Sequence, residues 1–301
     1  MRVLVLSLHR GYGDLLYNAL LFKAIKTHQK DAIVEVFTTK QGLELFEKNP
    51  YIDFMDDKFG SFEGSYDFLV DTSFKGISYI YSFLLKAKYK IALYKKEKEK
   101  YLSFIYNKLT PFIPKDNEIK NTLQILSPVF GKEVDVEPYF WIFKENPLKG
   151  KTYVVISPTA PVPTKVPSID IFNEVAKFIH AKGYNVVFTY PKSEAFYITK
   201  KLDFATYIFT DIHTYASILK DAKALVSCET FSYHLATFLN VPSLVLLGAY
   251  PIWKVSPLQH YVSLNLECQY CGSKTCKRGE DDVACLNIDY KDVIKEFQKL
   301  L

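Results

Sequence analysis

Continuous apolar runs alternate with apolar stripes at helical spacing along the whole of this chain. Val3-Leu4-Val5-Leu6 opens it as an uninterrupted apolar run, the pattern of a strand buried on both faces of a parallel sheet. Leu15, Ala19, Phe22 and Ile25 then recur at helical spacing, and Ala32 to Phe37 returns to a strand pattern. Phe68-Leu69-Val70 predicts a third strand, entered from Tyr66-Asp67. A helix follows from about Ile77 to Leu85, and another strand spans Lys90 to Leu93. The run Lys95 to Lys100 (KKEKEK) reads as a solvated surface. Asp135 to Gly150, with prolines at 138 and 147, reads as an interdomain linker.

The alternation restarts after that stretch. Tyr153 to Ile156 predicts a strand, and Ser168 is placed to cap a helix whose Phe172, Val175, Ala176 and Ile179 share one face. Asn185 to Thr189, Ala224 to Ser227 and Ser243 to Leu247 predict further strands, with a helix around Tyr233 to Leu239. Two successive series of this kind imply an α/β protein of two Rossmann-like, doubly wound domains facing a central cleft. The expected division is residues 1–146 and 147–287. The amphipathic terminal segment, residues 288–301, is expected to fold back on the first domain.

A length of 301 residues suits two cores, and 23 Phe and 22 Tyr supply material for both. No apolar run reaches the roughly 18 residues of a membrane span, and the N-terminus enters a strand without the layout of a signal peptide. The expected location is therefore the cytoplasm. The formal charge of +5 rests on 38 Lys and Arg, of which only Arg2, Arg10 and Arg278 are arginine. This excess suits an anionic partner but is too mild for nucleic acid, and no nucleic-acid motif accompanies it.

The chemistry concentrates at Arg10-Gly11-Tyr12-Gly13-Asp14, between the first strand and a helix beginning near Leu15. A glycine turn there lets a ligand approach the backbone. Asp14, however, puts a carboxylate where helix N–H groups would otherwise attract an anion. The loop therefore reads as a catalytic or acceptor-side element, with Asp14 a general base or a helix N-cap. Gly13 and Arg10 fall on the same side; Arg10 suits a carboxylate or phosphate of an acceptor, or equally a surface ion pair. A nicotinamide-dependent oxidoreductase is the rival reading, but Gly11-x-Gly13 lacks a third glycine and Asp14 would face the pyrophosphate.

A second cluster, Cys228-Glu229-Thr230-Phe231-Ser232-Tyr233-His234, follows a buried strand and opens a helix. Free N–H groups there, with the Thr230 and Ser232 hydroxyls, suit a phosphate, and His234 is either a packed helix residue or a further donor. Cys268, Cys271, Cys276 and Cys285 begin as a CxxC pair but lack a second one. They are compatible with a structural zinc site; the alternatives are disulfides, which a cytoplasmic location disfavours, or reduced packing thiols. Cys228 reads as buried and inert.

Taken in order, Gly13-Asp14, Asn49-Pro50-Tyr51-Ile52-Asp53, Tyr66-Asp67, Ser157-Pro158, Lys165, Glu229-Thr230, His234-Leu235, Gly248 and Pro251 resemble the ADP-heptose:lipopolysaccharide heptosyltransferases. The resemblance covers most of the chain. It implies a GT-B glycosyltransferase that transfers heptose from ADP-heptose to a lipopolysaccharide inner-core acceptor, inverting the anomeric centre without a metal or other cofactor. It implies that Asp14 is the base. It also implies that Lys165, in a Pro/Thr-rich loop, meets the donor diphosphate rather than being one more surface lysine. Glu194 suits the ribose hydroxyls or a helix first turn. The implied partners are the nucleotide-sugar and an anionic lipid-linked saccharide, with peripheral contact at the inner membrane. Lys86, Lys88, Lys90, Lys95 and Lys96 suit lipid headgroups, although a solvated face is the commoner setting for such lysines. The chain departs from the pattern where relatives read Asp-Thr-Gly and it has Glu229-Thr230-Phe231, and where a basic residue is replaced by Leu8. An altered protein that uses another nucleotide-sugar, or only binds one, is the alternative.

Overall fold

The computed structural model describes the chain except residues 74, 95–96, 113–116, 132, 252–255 and 280–282, and the side chains of 97–100. The charged run 95–100 therefore lies outside the described side chains. The chain forms two compact units, Met1–Ile142 and Phe143–Leu301.

The first unit runs β1 (Arg2–Ser7), α1 (Tyr12–His28), β2 (Ile33–Thr38), α2 (Lys40–Leu45), β3 (Phe54–Asp56), β4 (Ser65–Asp71), α3 (Gly76–Leu84), β5 (Lys86–Tyr94), β6 (Lys108–Pro111), α4 (Glu118–Leu123) and α5 (Ser127–Phe130). Its six strands are ordered β3-β2-β1-β4-β5-β6 and pair in parallel. Strand β1 lies in the middle, between β2 and β4, which is why Val3 to Leu6 are apolar without interruption and fully buried. Helix α1 begins at Tyr12, three residues earlier than the periodicity indicates. Leu15, Ala19, Phe22 and Ile25 are buried as expected, but so is every residue between Leu15 and Phe22, so the helix is enclosed on all sides there.

The second unit runs β7 (Tyr153–Ser157), α6 (Ile169–Ala181), β8 (Asn185–Thr189), β9 (Thr206–Ile208), α7 (Ile212–Lys220), β10 (Leu225–Cys228), α8 (Phe231–Phe238), β11 (Ser243–Leu246), β12 (Gln259–Val262) and α9 (Tyr290–Phe297). Its sheet, β12-β11-β10-β7-β8-β9, is also parallel. Relabelled in chain order, both sheets have the order 3-2-1-4-5-6 of a doubly wound dinucleotide-binding fold. In such sheets ligands gather beyond the carboxyl ends of the strands where the order reverses, here β1/β4 and β7/β10. Ser168 caps α6, its hydroxyl accepting from the Asp170 amide at 3.3 Å. Among the described residues no helix is long and apolar enough to cross a membrane.

The terminal segment corrects the sequence expectation. Residues 288–301 pack on the second unit, not the first: Ile288, Val293 and Phe297 join the core built from Phe172, Ile179, Leu244 and Leu246. Val293 and Phe297, four residues apart, form the apolar stripe of α9, and His260 of β12 meets Glu296 at 2.7 Å. Amphipathicity shows that one face of a helix is buried, not which sheet buries it. Phe297 is fully buried, so Phe297→Ala should cost about 3–5 kcal/mol. Urea unfolding followed by hydrogen exchange should place that loss in the second sheet, with the amides of β1 and β4 unaffected.

Candidate active site

In the first unit the relevant groups collect where β1 and β4 end side by side. The Asn18 amide, buried inside α1, donates to Ser7 Oγ at 2.7 Å and to Thr72 Oγ1 at 2.9 Å. The Thr72 hydroxyl in turn donates to the Leu6 carbonyl at 2.9 Å. This fixes α1 against both strand ends. Gly11 is the N-cap residue of α1 and lends no side-chain cap, so Asp14 is not the capping residue. It is the third residue of the helix, in the first turn, with its side chain 65% exposed. A first-turn carboxylate is favoured there by the helix dipole. Gly13 lies within the same turn, and Arg10 is exposed just before it. A side chain at Gly11 would stand 3.3 Å from Asp14 Oδ2, so the glycine leaves that carboxylate room.

Two neighbours of Asp14 escape sequence reasoning. His9 Nε2 lies 2.9 Å from the Thr72 carbonyl. A carbonyl only accepts, so Nε2 carries a hydrogen, while Nδ1 lies 3.8 Å from Asp14 Oδ2. Burial first, then Lys75, hold His9 below its ordinary value, against the pull of Asp14. Lys75 donates to the Leu8 carbonyl at 2.6 Å, and burial followed by Arg10 lowers its pKa while Asp14 opposes them. His9 adjoins the glycine loop in sequence, which is a usable signal. Lys75 lies 67 residues from Leu8, and no spacing announces it.

In the second unit Lys165, Glu229 and His234 come together beyond the carboxyl ends of β7 and β10. The Lys165 ammonium pairs with Glu229 Oε2, and His234 Nε2 stands 3.7 Å from Glu229 Oε1. Lys165 also lies over the Tyr250 ring, 4.2 Å from its centre. Burial opposes the Glu229 carboxylate, but the His234 hydrogen bond and the Lys165 charge outweigh it and hold the group below its ordinary value. Ser232 is buried and shares a 2.8 Å hydrogen bond with Ser157 across the β7/β10 junction. Thr230 is the N-cap of α8 without a side-chain capping bond. Glu194 lies in the short turn Lys192–Tyr197 after β8; burial raises its pKa against a hydrogen bond with Thr159. Six donor-side residues named from sequence thus occupy one edge of the second sheet, whereas Asp14, Gly13 and Arg10 belong to the first unit.

Close backbone contact positions Lys165. A side chain at Gly248 would collide with the Thr164 carbonyl, and the Ala249 amide donates to that carbonyl at 3.1 Å. Thr164 Oγ1 donates to the Ser273 carbonyl at 2.7 Å, the Gly272 backbone amide to the Ala249 carbonyl at 2.9 Å, and Gln269 Nε2 to the Leu247 carbonyl at 2.9 Å. The cysteine-bearing segment therefore braces the lysine loop. No disulfide joins any of its four cysteines or Cys228, which is buried and has its thiol pushed far up by desolvation. Burial and then the charges of Cys268, Cys271 and Cys276 raise the Cys285 thiol. Among the described residues no three His, Cys, Asp or Glu side chains are grouped to hold a metal ion.

A model of glycosyltransferase family 9 (heptosyltransferase) matches residues 62–281, well over half of the chain. The chain belongs to that family. Solved structures show the same fold. The family 9 glycosyl transferase from Veillonella parvula is 14% identical with a TM-score of 0.81, covering 99% of this chain and 96% of that one. E. coli heptosyltransferase WaaC, solved with ADP-2-deoxy-2-fluoro heptose, is 13% identical with a TM-score of 0.76 and full coverage of both. The iron-containing dodecameric glycosyltransferase TibC from enterotoxigenic E. coli is 15% identical with a TM-score of 0.63, covering 99% of this chain and 75% of that one. No curated protein matches the sequence significantly. The fold is thus that of the GT-B glycosyltransferases, and the family displaces the nicotinamide reading.

Glu229 has a depressed pKa in the folded protein, so its pairing stabilises above the ordinary glutamate value of about 4.3 and is lost as pH falls through it and below. Melting temperatures measured from neutral to acid pH should therefore converge for the parent and Glu229→Gln, with the parent falling more steeply. Parallel curves would mean that Glu229 is not held ionised by Lys165 and His234.

Proposed function

We propose that the protein transfers heptose from ADP-heptose to an inner-core lipopolysaccharide saccharide, with inversion and without a metal ion. The observation that carries this is the exposed Asp14 carboxylate in the first turn of α1, at the reversal point of a doubly wound sheet. Support for the donor comes from the relatives: WaaC was solved with ADP and with a fluorinated ADP-heptose, and TibC with ADP-D-beta-D-heptose.

In this reading the acceptor hydroxyl attacks the anomeric carbon from the face opposite the diphosphate. The bond from that carbon to the phosphate oxygen breaks, ADP leaves with the electron pair, and the hydroxyl proton passes to Asp14. Lys165 meets the diphosphate as a point charge, with the first-turn amides of α8 and the Thr230 hydroxyl as further donors. Glu229 and His234 orient that lysine. Glu194 accepts from ribose hydroxyls, and Arg10 and Gly13 contact the acceptor. A second reading, a protein that binds a nucleotide-sugar without turning it over, is favoured by Phe231, whose side chain replaces the glycine that relatives use for close backbone approach.

Asp14→Asn should lower turnover about 10²–10⁴-fold. Its melting temperature should hold within the change expected for about 1 kcal/mol, because the side chain caps nothing and is mostly exposed. ADP affinity, measured by calorimetry, should be unchanged. Full turnover in this variant would remove Asp14 from the chemistry, and a parent that binds ADP-heptose but transfers nothing would favour the binding protein.

Lys165→Ala should weaken ADP and ADP-heptose alike by about 1.5–3 kcal/mol, the worth of a charge-assisted contact. Equal affinity for ADP in variant and parent would take Lys165 out of the donor site.

A further inference from the structure

Helix α3 is amphipathic in the wrong sense for a helix that serves only its own core. Its fully buried positions are Ser78 and Ser82, four residues apart. Its large apolar side chains point outward: Ile77 is 47% exposed, Ile80 56%, Phe83 64% and Leu84 58%. A core-facing helix buries its apolar stripe and shows its polar one. Here the buried serines have specific work, since Ser82 Oγ accepts from the Tyr106 hydroxyl at 3.1 Å and Ser78 hydrogen-bonds the buried Asp71 carboxyl. Tyr81 anchors the helix, stacking on Phe59 and meeting Phe37 edge-on. The outward face is thus held rigidly by contacts made on the other side.

Along the segment that carries this face the charge has one sign. From Lys75 to Tyr94 the chain carries Lys75, Lys86, Lys88 and Lys90 and no acidic residue. Lys86 and Lys88 are exposed on β5, directly after the helix. Lys90 Nζ donates to the Phe83 carbonyl at 3.3 Å, so a cation sits at the C-terminal end of the helix beside its most exposed aromatic ring. A groove of about 570 Å³ continues the apolar surface past Leu84, between Phe59, Phe62 and Lys86.

We propose that α3 and the start of β5 form a membrane-docking surface. Ile77, Ile80, Phe83 and Leu84 enter the interfacial region of a bilayer, and Lys86, Lys88 and Lys90 meet its anionic headgroups. Apolar side chains followed by exposed lysines match the two layers of such a surface, acyl chain below and phosphate above. A second copy of the chain fits less well. A two-fold interface through this face would set its lysines against themselves, with no acidic residue in the segment to pair them. The proposal does not depend on the donor or on Asp14, and its test uses neither substrate, so either reading can fail without the other.

The full chain would be sedimented with vesicles of phosphatidylcholine alone and with vesicles mixed with phosphatidylglycerol. Binding is expected to the mixed vesicles only, weakening as salt rises. Ile80→Ser/Phe83→Ser should bind at least about tenfold more weakly, given the apolar area removed from the interface. Lys86→Glu/Lys88→Glu should lose about fivefold or more for each lysine. All four side chains are exposed, so both variants should keep the parent's melting temperature. No binding by the parent, or equal binding by parent and both variants, would overturn the proposal. So would a lipid-free dimer, seen by light scattering, that the Ile80→Ser/Phe83→Ser variant abolishes.

Discussion

The first unit depends on what Asn18 does inside α1. Two parallel strands that end together at a reversal point leave polar backbone and hydroxyl groups at their carboxyl edge, cut off from water by the helix above. One buried amide answers both, reaching Ser7 from β1 and Thr72 from beyond β4. That fixes the register of α1 on the sheet and the height of its first turn, and through the Thr72 carbonyl it fixes the His9 ring. The exposure of Asp14 follows: its helix is pinned from below, so the carboxylate stands free above the strand ends. The second unit closes its equivalent junction more simply, with one hydroxyl pair between Ser157 and Ser232.

Legibility in the sequence tracks how local the cause is. Strand β8 is readable to the residue because Val186, Val187 and Phe188 form a buried apolar run bounded by Asn185 and Thr189, and α6 because Ser168 caps it and four apolar residues share one side. The start of α1 was displaced because its first turn, Tyr12-Gly13-Asp14, has none of the apolar periodicity that marks the rest. Helix α3 was found by its composition, but its orientation was not. An apolar stripe is conventionally assigned to the core, and only the Tyr106–Ser82 and Asp71–Ser78 contacts turn it outward. Helix α9 is legible but its unit is not, since the choice between two apolar cores is made by surfaces distant in sequence, from Leu246 back to Phe172.

The candidate site shows the same limit. Asp14, Lys165, Glu229 and His234 were nameable because a strand, a turn and a helix start in order, with family-like residues between them. The mutual arrangement of Lys165, Glu229 and His234 within the second unit was not. Glutamate in place of the aspartate usual in relatives adds one methylene, and in the folded protein that side chain meets both Lys165 and His234. The substitution that reads as damage in the sequence is a partnered carboxylate in the structure.

The bracing of the Lys165 loop by residues 269–273 gives the cysteine-bearing segment a mechanical standing its thiols alone would not. Backbone and side-chain hydrogen bonds join it to Leu247, Ala249 and Thr164, and the lysine follows Thr164 directly. Exposed Cys268 and Cys271 flank the first of these contacts. Alkylation or oxidation at either sulfur would therefore act as a lever with a short arm, felt at a side chain it never touches. Storage under air, an incidental matter for most surface thiols, becomes here a variable of the sheet edge that carries Lys165.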